Sequence, residues 1–455
     1  MEEIDVVYLY EKVLRELDVA CAVKALAKRL YGLRIEIVQQ NHGYPYALRN
    51  FRPRVVVLPF CYQNRSNNIY LTNWRKAIFF NLTWEQLFYP GNQTAKTPRG
   101  NFAIHHVIHH AWSDFYADFL KQQGVPEQHI WVNGNPAYAL YDAEYRSYFK
   151  KREELASQYQ LDVDKKWVFF PENYNWAFYD DGMLNQMIHD GQMPDDVYGM
   201  KEFSARSFEE VMRWCNVLAD SENIELIIRP RPSTLLDDFI EKIKTIIHTI
   251  PKQMHINQHE TVRDWILSCD TVVSSYSTSL IEAAIAGKSI YMLEPYPLPV
   301  SLRQDWHKLL PHLTNEQEFL SSTLGKSTKN TGKSLEQWAR TTMISRGDPI
   351  RNLTDYLARL CQGKINRPLI PSRKSVTLPG RIPFPSWILF EYRRLITRLR
   401  PPDAILPSQI HPEYKNDVVN LVEINQRVNQ WTELLSNDIH RQQPSQGQHI
   451  MMSNL

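Results

Sequence analysis

The sequence predicts an α/β protein with two doubly wound, Rossmann-like domains that face each other across a cleft. Short runs of β-branched residues alternate with helical patterns, which is typical of βαβ units and a parallel sheet. The alternation stops in a charged segment around residues 145–165 and starts afresh at residue 167. With 455 residues, the chain is long enough to bury two cores.

The first predicted domain covers residues 1–150 and the second covers residues 151–345. The first has strand patterns at 5–10, 34–39, 54–60, 76–82, 102–109 and 130–134, with helical patterns at 13–31 and 113–124. The second has strand patterns at 167–173, 224–230, 254–257, 271–275 and 289–295. Residues 346–455 are predicted to form a helical or irregular extension. It contains a basic amphipathic segment at 379–402 and a polar tail from about residue 440 that we expect to be disordered.

Composition limits the classes of partner. Lys and Arg number 52 against 50 Asp and Glu, so the overall charge predicts no nucleic-acid partner, and any anion site must be local. Five cysteines without CxxC spacing favour a reducing cytoplasm. No window approaches 18 uninterrupted apolar residues, and the first residues are acidic where a signal peptide is basic. These observations predict a cytoplasmic protein.

A serine-rich turn follows the strand pattern at 271–275. Its hydroxyl residues are Ser275, Ser277, Thr278 and Ser279. Parallel sheets bind ligands beyond the carboxyl ends of their strands, and a helix start there offers N–H groups to a phosphate. A second interpretation needs no ligand, because Ser279 and Glu282 have the S-x-x-E spacing of a capping box. The two interpretations are compatible.

Two further loops follow strand patterns of the same predicted sheet. Arg229 and Arg231 end one strand with two charged groups that could bind an anion. Asn173 and Asn175 follow another strand and could meet a ligand across the cleft. A structural arginine pair is the alternative for the first loop. Histidines placed in loops, His42 and His259, are further candidates for contacting the ligand.

Three segments resemble a known family. "SSYSTSLIEAAIAGKSIYML" is similar to the C-terminal domain of GT-B glycosyltransferases. "FLKQQGVPEQHIWVNGNPAY" and "YLYEKVLRELDVACAVKALAKRLYG" resemble the bacterial surface-polysaccharide group, which makes capsule and lipopolysaccharide and is related to Kdo transferases and nucleotide-sugar 2-epimerases. The resemblance covers roughly residues 4–300.

The resemblance implies roles for individual residues. Glu282 would hold the ribose hydroxyls of a nucleotide donor, and Gly134 and Asn135 would form the tight turn that faces the cleft. The phosphate loop would comprise Ser275, Ser277, Thr278 and Ser279. Many retaining GT-B enzymes carry E-x7-E, but Ser274 stands at the first glutamate position here. The anomeric outcome is therefore not predicted.

Catalysis in such a transferase needs a group to accept the acceptor's proton or to balance charge. Glu85 is the candidate base, because its flanks Trp84 and Phe88 would raise its pKa. An ordinary helix-start glutamate is the alternative. Glu16 follows the first strand pattern and is a further cleft candidate, although such charges are usually only solvated.

No cofactor and no metal are expected. The histidines of "IHHVIHHAW", which are His105, His106, His109 and His110, do not share one strand face, and no third ligand type accompanies them. Arginines and a helix start can hold a phosphate without a metal.

Three functions remain open from the sequence. The leading one is a glycosyltransferase that moves a sugar from a nucleotide-sugar donor to a surface glycan or lipid-linked acceptor. Segment 379–402 would then lie on an anionic membrane surface, at the inner face of the cell membrane, or else pack on the protein. The alternatives are a nucleotide-sugar 2-epimerase and a non-catalytic GT-B relative that acts as an assembly partner.

Overall fold

The computed structural model describes residues 1–63, 69–71, 73–90, 93–189, 197–232, 234–325, 330–371 and 417–437. The predicted basic amphipathic segment 379–402 and the predicted disordered tail from about residue 440 lie outside these residues.

Two six-stranded sheets, both wholly parallel, form the centre of the protein. The first has the order β2-β1-β3-β4-β5-β6, and the second has the order β12-β11-β10-β7-β8-β9. The strands of the first sheet are β1 Glu2–Tyr10, β2 Ile35–Gln39, β3 Phe51–Leu58, β4 Ile78–Asn81, β5 Val107–Ala111 and β6 Ile130–Val132. Those of the second are β7 Lys166–Pro171, β8 Ile224–Arg229, β9 Met254–Ile256, β10 Thr271–Ser274, β11 Ser289–Leu293 and β12 His312–Leu313.

Helices cover the sheets. The first domain contributes α1 Asp18–Tyr31, α2 Tyr44–Asn50, α3 Gly100–His105, α4 Asp114–Gln122 and α5 Pro136–Ala139. The second contributes α6 Arg152–Tyr159, α7 Asp181–His189, α8 Val197–Ala219, α9 Leu236–Ile247, α10 Val262–Ser268, α11 Ser279–Ile285, α12 Glu316–Leu324 and α13 Lys333–Met343. Two helices follow, α14 Pro349–Cys361 and α15 Leu421–Asn437. Across the described parts of the chain, every helix is too short or too polar to cross a bilayer.

Burial on both faces explains why the strands read as continuous apolar runs. In β1, Val6, Tyr8 and Tyr10 pack on one face, whereas Val7 and Leu9 pack on the other. Successive strand side chains point to opposite faces, so a strand covered on both sides has no polar alternation. This pattern made the strands recognisable in the sequence.

Each sheet has one switch point, where the strand order reverses direction. In the first sheet it lies between β1 and β3, and in the second it lies between β7 and β10. Ligands of open parallel sheets bind beyond the carboxyl ends of the strands at such points, because the loops there diverge and leave a crevice. The loops after β1, β7 and β10 are therefore the first places to look for a site.

The predicted strand at 102–109 is wrong in its first half. Residues Gly100–His105 form helix α3, and strand β5 begins only at Val107. Phe102 and Ala103 are buried under the sheet, and the His106 N–H closes the helix on the Phe102 carbonyl. Neighbouring helix and strand share one apolar run here, so periodicity could not separate them.

The predicted helix at 13–31 begins in an unexpected form. Val13–Leu17 is a single π-helical turn, and the α-helix proper starts at Asp18. Single π-helical turns are rare and occur often at functional sites. This turn follows β1 directly, so it stands at the switch point of the first sheet.

The chain crosses between the sheets twice, and the two crossings touch. It leaves β6 through Gly134 and Asn135, and it returns between the end of α13 and the start of α14. The Asn135 N–H donates to the Met343 carbonyl at 2.7 Å. Gly134 has φ +111, and a Cβ on it would lie 2.9 Å from that same carbonyl oxygen. The domain limits predicted from the sequence, which are 1–150, 151–345 and 346–455, remain predictions.

The last two helices pack on the first domain. Buried side chains of α14 and α15 share one core with α1 and with one face of the first sheet. Trp431 of α15 is fully buried, and its ring stacks on Tyr148 with centroids 4.0 Å apart. The described part of the extension therefore belongs to the first domain's core.

We expect Gly134→Ala to destabilise the protein by about 3 kcal/mol, because it adds a backbone clash to an unfavourable φ. Gly347→Ala is the matched control, since its φ is +86 but nothing lies within 4 Å of an added Cβ. Gly347→Ala should lower the free energy of unfolding by about 1 kcal/mol. Urea denaturation of both variants measures the difference. Equal losses would show that the crossing is not tightly packed at Gly134.

Candidate functional site

Arg263, at the carboxyl edge of the second sheet, contacts the turn that follows β1 at the switch point of the first sheet. Arg263 lies in the first turn of α10 and is 3% exposed. Its guanidinium donates to the carbonyls of Leu14 at 3.3 Å and Arg15 at 3.1 Å, in the π-helical turn of the first domain. It also lies 3.5 Å from the Asp18 carboxylate. The carboxyl edges of the two sheets therefore meet across one cleft.

On the first-domain side, Arg15 gathers three carboxylates. It donates to Glu16 at 2.6 and 3.0 Å, to Glu85 at 2.9 Å and to Glu11 at 3.1 Å. The sequence-predicted residues Glu16 and Glu85 are thus brought together, although they come from the loops after β1 and β4. Lys96 forms a second ion pair with Glu85. We call these five residues the Arg15 cluster.

The Arg15 cluster contains one carboxyl with a raised pKa and one with a lowered pKa. Burial raises the pKa of Glu16 to about 7, although Arg15 partly opposes the shift. Burial alone would also raise the pKa of Glu85, but Lys96 and Arg15 together lower it to about 2. The expectation that apolar neighbours make Glu85 a base with a raised pKa is therefore wrong, because two cations outweigh its apolar flanks.

The loop that carries Glu85 is rigidly held. Thr83 has φ +48, which is an outlier for a β-branched residue. The buried Gln86 amide donates to the His110 carbonyl at 2.9 Å and accepts from the Trp112 N–H at 2.7 Å. Strained backbone of this kind persists where its surroundings fix it, and it clusters at functional sites.

On the second-domain side, Arg231 joins two loops. It donates to Asn173 at 3.0 Å and to Asn175 at 2.9 Å, so the loops after β7 and β8 converge through the predicted residues. The charge on Arg231 also acts on Tyr276, in the turn after β10, where it opposes the burial that raises the tyrosine's pKa. Three loops at one sheet edge thus lie close together.

The serine-rich turn after β10 is not closed by the predicted capping box. Thr278 is the N-cap of α11 and makes no side-chain cap bond. The Ser279 N–H donates instead to the Ser277 hydroxyl at 3.3 Å, and the two hydroxyls lie 3.1 Å apart. The capping prediction for Ser279 and Glu282 is wrong, because Tyr141 engages the Glu282 carboxylate at 2.8 Å. The Ser277 hydroxyl therefore accepts the first N–H of the helix in place of the predicted capping box.

Individual residues of the turn differ in accessibility. Ser277 and Ser279 are half-buried, and Thr278 is exposed. Ser275 is buried below them. Ser274 donates to the Pro171 carbonyl at 2.5 Å and so faces the sheet. Only the outer part of the turn, from Ser277 onwards, can meet a ligand in the cleft.

Two charged groups lie beside this turn. Burial raises the pKa of Glu282, and the charges of Arg263 and Arg229 partly offset the shift. Arg229 is 3% exposed and donates through Nε to the Glu260 carbonyl at 3.0 Å. Its Nη2 has no hydrogen-bond partner among the described residues. Burial lowers the pKa of this guanidinium to about 10. A buried cation with an unpaired N–H is costly unless an anion or acceptor joins it.

The remaining predicted residues lie on other loops. Gly134 and Asn135 pack on the returning chain near Met343. His42 follows the neighbouring strand β2, and burial lowers its pKa. His259 is exposed in the loop between β9 and α10.

The second half of the histidine-rich segment lies in the first core, whereas His105 is exposed and His106 is half-buried. His109 and His110 are buried, and burial lowers the pKa of each to about 4. The His109 Nε2 lies 2.6 Å from the Ala103 carbonyl oxygen. In the described ranges, no three His, Cys, Asp or Glu side chains are grouped so that they could hold a metal.

Sequence reasoning missed Arg263, Tyr141 and Lys96. One signal could have found Arg263: a cation in the first turn of a helix is opposed by the helix dipole, so it needs a partner elsewhere. The Thr261–Asp264 capping box fixes that helix start, with the Asp264 N–H 3.2 Å from the Thr261 hydroxyl. Tyr141 and Lys96 carry no comparable signal.

Comparison with known proteins finds solved structures with a similar fold. No family model and no curated protein sequence matches the chain. The structure of the wall teichoic acid polymerase TagF has a TM-score of 0.51 and 10% identity, over 80% of this chain and 90% of that chain. The S. aureus MnaA–UDP co-structure has a TM-score of 0.50 and 11% identity, over 82% and 100%. UDP-GlcNAc 2-epimerase from Neisseria meningitidis, bound to UDP-GlcNAc, has a TM-score of 0.48 and 10% identity, over 79% and 100%.

The likenesses to TagF and to MnaA agree with the sheet topology on the fold class. Two Rossmann-like domains with parallel sheets face each other across a cleft, which is the GT-B architecture. The predicted fold class is confirmed. At this level of identity the comparisons show the fold alone.

The buried Glu172 gives a test of the second-domain edge. Burial raises its pKa to about 7, and the Tyr174 N–H and Arg231 partly offset this. Because the folded state holds the proton more tightly than the unfolded state, stability is lost as pH rises from the ordinary value towards about 7. The side chain introduced by Glu172→Gln stays neutral at both pH values. Between about pH 5 and about pH 8, the free energy of unfolding of this variant should therefore fall by on the order of 2 kcal/mol less than that of the parent.

Urea denaturation at the two pH values measures this effect. Glu222→Gln, at an exposed position before β8, is the matched control and should keep the parent's pH dependence. If stability depended on pH identically in Glu172→Gln and in the parent, the raised pKa of Glu172 in the folded state would be contradicted.

Proposed function

We propose that the protein is a glycosyltransferase that moves a sugar from a nucleotide-sugar donor to a surface glycan or lipid-linked acceptor. The observation that carries this proposal is the buried, underpaired Arg229 at the end of β8, whose charge acts on Glu282 in the helix after the serine-rich turn. An anionic ligand there would satisfy the unpaired Nη2 and meet the N–H groups of a helix start.

In this proposal the donor's phosphates lie on the outer part of the turn. Ser277, Thr278 and Ser279 supply hydroxyl and backbone donors, and Ser275 supports them from below. Glu282 accepts from the ribose hydroxyls while Tyr141 holds its other side. Arg231, held by Asn173 and Asn175, and the exposed His259 border the same edge. The MnaA co-structure contains UDP, and a TagF structure comes from a soak with CDPG, which supports a nucleotide ligand for this fold.

The Arg15 cluster is the proposed acceptor side. With its pKa near 2, Glu85 stays ionised and acts as a fixed negative charge that can balance positive charge on the sugar as the donor bond breaks. Glu16 is fully buried and acts by holding Arg15. His42, Gly134 and Asn135 border the cleft in this proposal without contacting the reacting atoms. No metal is needed, because the arginines and the helix start carry the phosphate charge.

The proposed location is the cytoplasm, peripheral to the membrane's inner face. All five cysteines are free, and four of them are buried, which suits a reducing compartment. Segment 379–402 would supply contact with an anionic membrane surface through its arginines and apolar residues.

A second candidate is a nucleotide-sugar 2-epimerase. The observation that favours it is the gathering of Glu11, Glu16 and Glu85 around Arg15, because proton removal and return at a sugar carbon need acid–base groups close to the ring. The donor site would be the same in both cases. The two functions differ in whether an acceptor is required.

Ser277→Ala combined with Ser279→Ala should weaken nucleotide binding. Each hydrogen bond to a phosphate is worth about 1–3 kcal/mol, so we expect at least a tenfold rise in the Kd for UDP or CDP. Isothermal titration calorimetry measures it. Ser321→Ala, an exposed serine of α12, is the control and should bind as the parent does. Equal affinity in the double variant would remove the phosphate-loop assignment.

Incubation with UDP-N-acetylglucosamine alone separates the two candidate enzymes. A transferase should leave the sugar's configuration at C2 unchanged, whereas an epimerase should produce the C2 epimer without any acceptor. NMR of the sugar protons distinguishes the products. Appearance of the epimer in the parent, and its loss in the Ser277→Ala, Ser279→Ala variant, would replace the transferase proposal.

A further inference from the structure

The start of the π-helical turn is capped by a residue 404 positions further along the chain. Asp417 is 5% exposed and accepts a hydrogen bond from the Val13 N–H at 2.8 Å. Its second carboxylate oxygen lies 3.2 Å from the Lys12 ammonium. Lys12 occupies the N-cap position of the turn, and its own side chain makes no cap bond. Asp417 therefore accepts a hydrogen bond from a free N–H group of the first turn, which is normally the role of the N-cap residue's own side chain.

The end of the same turn is held by a second residue of this C-terminal part. Arg427 donates to the Asp18 carboxylate at 3.1 Å, and Asp18 is the residue that closes the π-helical turn and begins α1. The other Asp18 oxygen faces Arg263 of the second domain at 3.5 Å. Asp18 is fully buried, so it depends on both cations to offset the loss of water.

A packed helix keeps Asp417 and Arg427 in place. Ile424, Val428, Trp431 and Leu435 lie at helical spacing on the buried side of α15 and join the core that contains α1. The Arg427 side chain is also fixed by Glu423, which accepts from it at 3.0 and 3.3 Å. Both contacts with the turn thus come from a part of the chain with its own apolar anchor.

We propose that residues 417–437 are a positioning element of the Arg15 cluster, in which Asp417 and Arg427 fix the two ends of the turn that presents Arg15 and Glu16. The proposal deepens the function proposed above, because that function places the Arg15 cluster on the acceptor side of the cleft. Neither Asp417 nor Arg427 lies in the donor loops. Their loss should therefore affect the geometry of the acceptor side and leave nucleotide binding intact.

Hydrogen exchange in the full-length protein tests the positioning role directly. Asp417→Ala removes the acceptor for the Val13 N–H, and we expect the amides of residues 13–17 to exchange about tenfold faster. Asp417→Asn keeps an amide oxygen that can accept this bond, so it should restore most of the protection. Glu433→Gln, at an exposed position of α15, is the matched control and should exchange as the parent does.

Two outcomes of the exchange experiment overturn the inference. One is unchanged exchange at residues 13–17 in Asp417→Ala. The other is an increase that spreads equally along α1, because that would show general loosening of the first domain. These outcomes are decisive whether or not the protein binds a nucleotide.

A kinetic comparison separates positioning from simple stability. With UDP-N-acetylglucosamine as donor, Asp417→Ala and Arg427→Gln should each lower kcat at least tenfold, while the Kd for UDP stays within about twofold of the parent's. An equal kcat in parent and Asp417→Ala, or an equal loss in Glu433→Gln, contradicts the inference. Absence of UDP and CDP binding by the parent would contradict the proposed function alone, and the exchange result would still decide the inference.

Discussion

The buried guanidinium of Arg263 is the interaction on which the arrangement of the cleft depends. A cation with 3% exposure must find charge and hydrogen-bond acceptors inside the protein, or it destabilises the fold. Here the second domain supplies the cation, and the first domain supplies the Asp18 carboxylate and the carbonyls of Leu14 and Arg15. The requirement holds the helix start after β9 against the turn after β1. The rest of the cleft is arranged around this contact.

The two sides of the cleft differ in electrostatic character. The second-domain side combines an underpaired Arg229 with hydroxyl groups and a helix start, which suits an anion. The first-domain side neutralises its cations internally, since Arg15 and Lys96 are paired with carboxylates. It therefore offers carboxylate oxygens, which suit hydroxyl groups. Such a division fits a ligand that has an anionic part and a polyhydroxylated part.

Much of the fold could be predicted from the sequence, because strands buried on both faces leave an unmistakable run of β-branched residues. The strand predicted at 102–109 was wrong in its first half, where a helix runs into the strand without a break in the sequence pattern. The prediction also missed the two-residue strand β12, which is too short to show any period. For the site, neighbouring strand ends brought Arg231 to Asn173 and Asn175 as local reasoning suggests. The capping box failed because the competing partner of Glu282, Tyr141, lies 141 residues away. Pairs of this kind leave no local pattern.

The cap supplied by Asp417 has a consequence for the order of events during synthesis. The bonded pair Val13 and Asp417 are 404 residues apart, so the ribosome must add all of these residues before the cap can form. Until α15 has emerged, the apolar surface of α1 that receives Trp431 stays open to water and to other chains. At a translation rate of about 5–20 residues per second, this interval lasts on the order of half a minute. During that interval the nascent first domain exposes apolar surface of the kind that makes folding chains prone to aggregate, and its π-helical turn stays without the Asp417 cap.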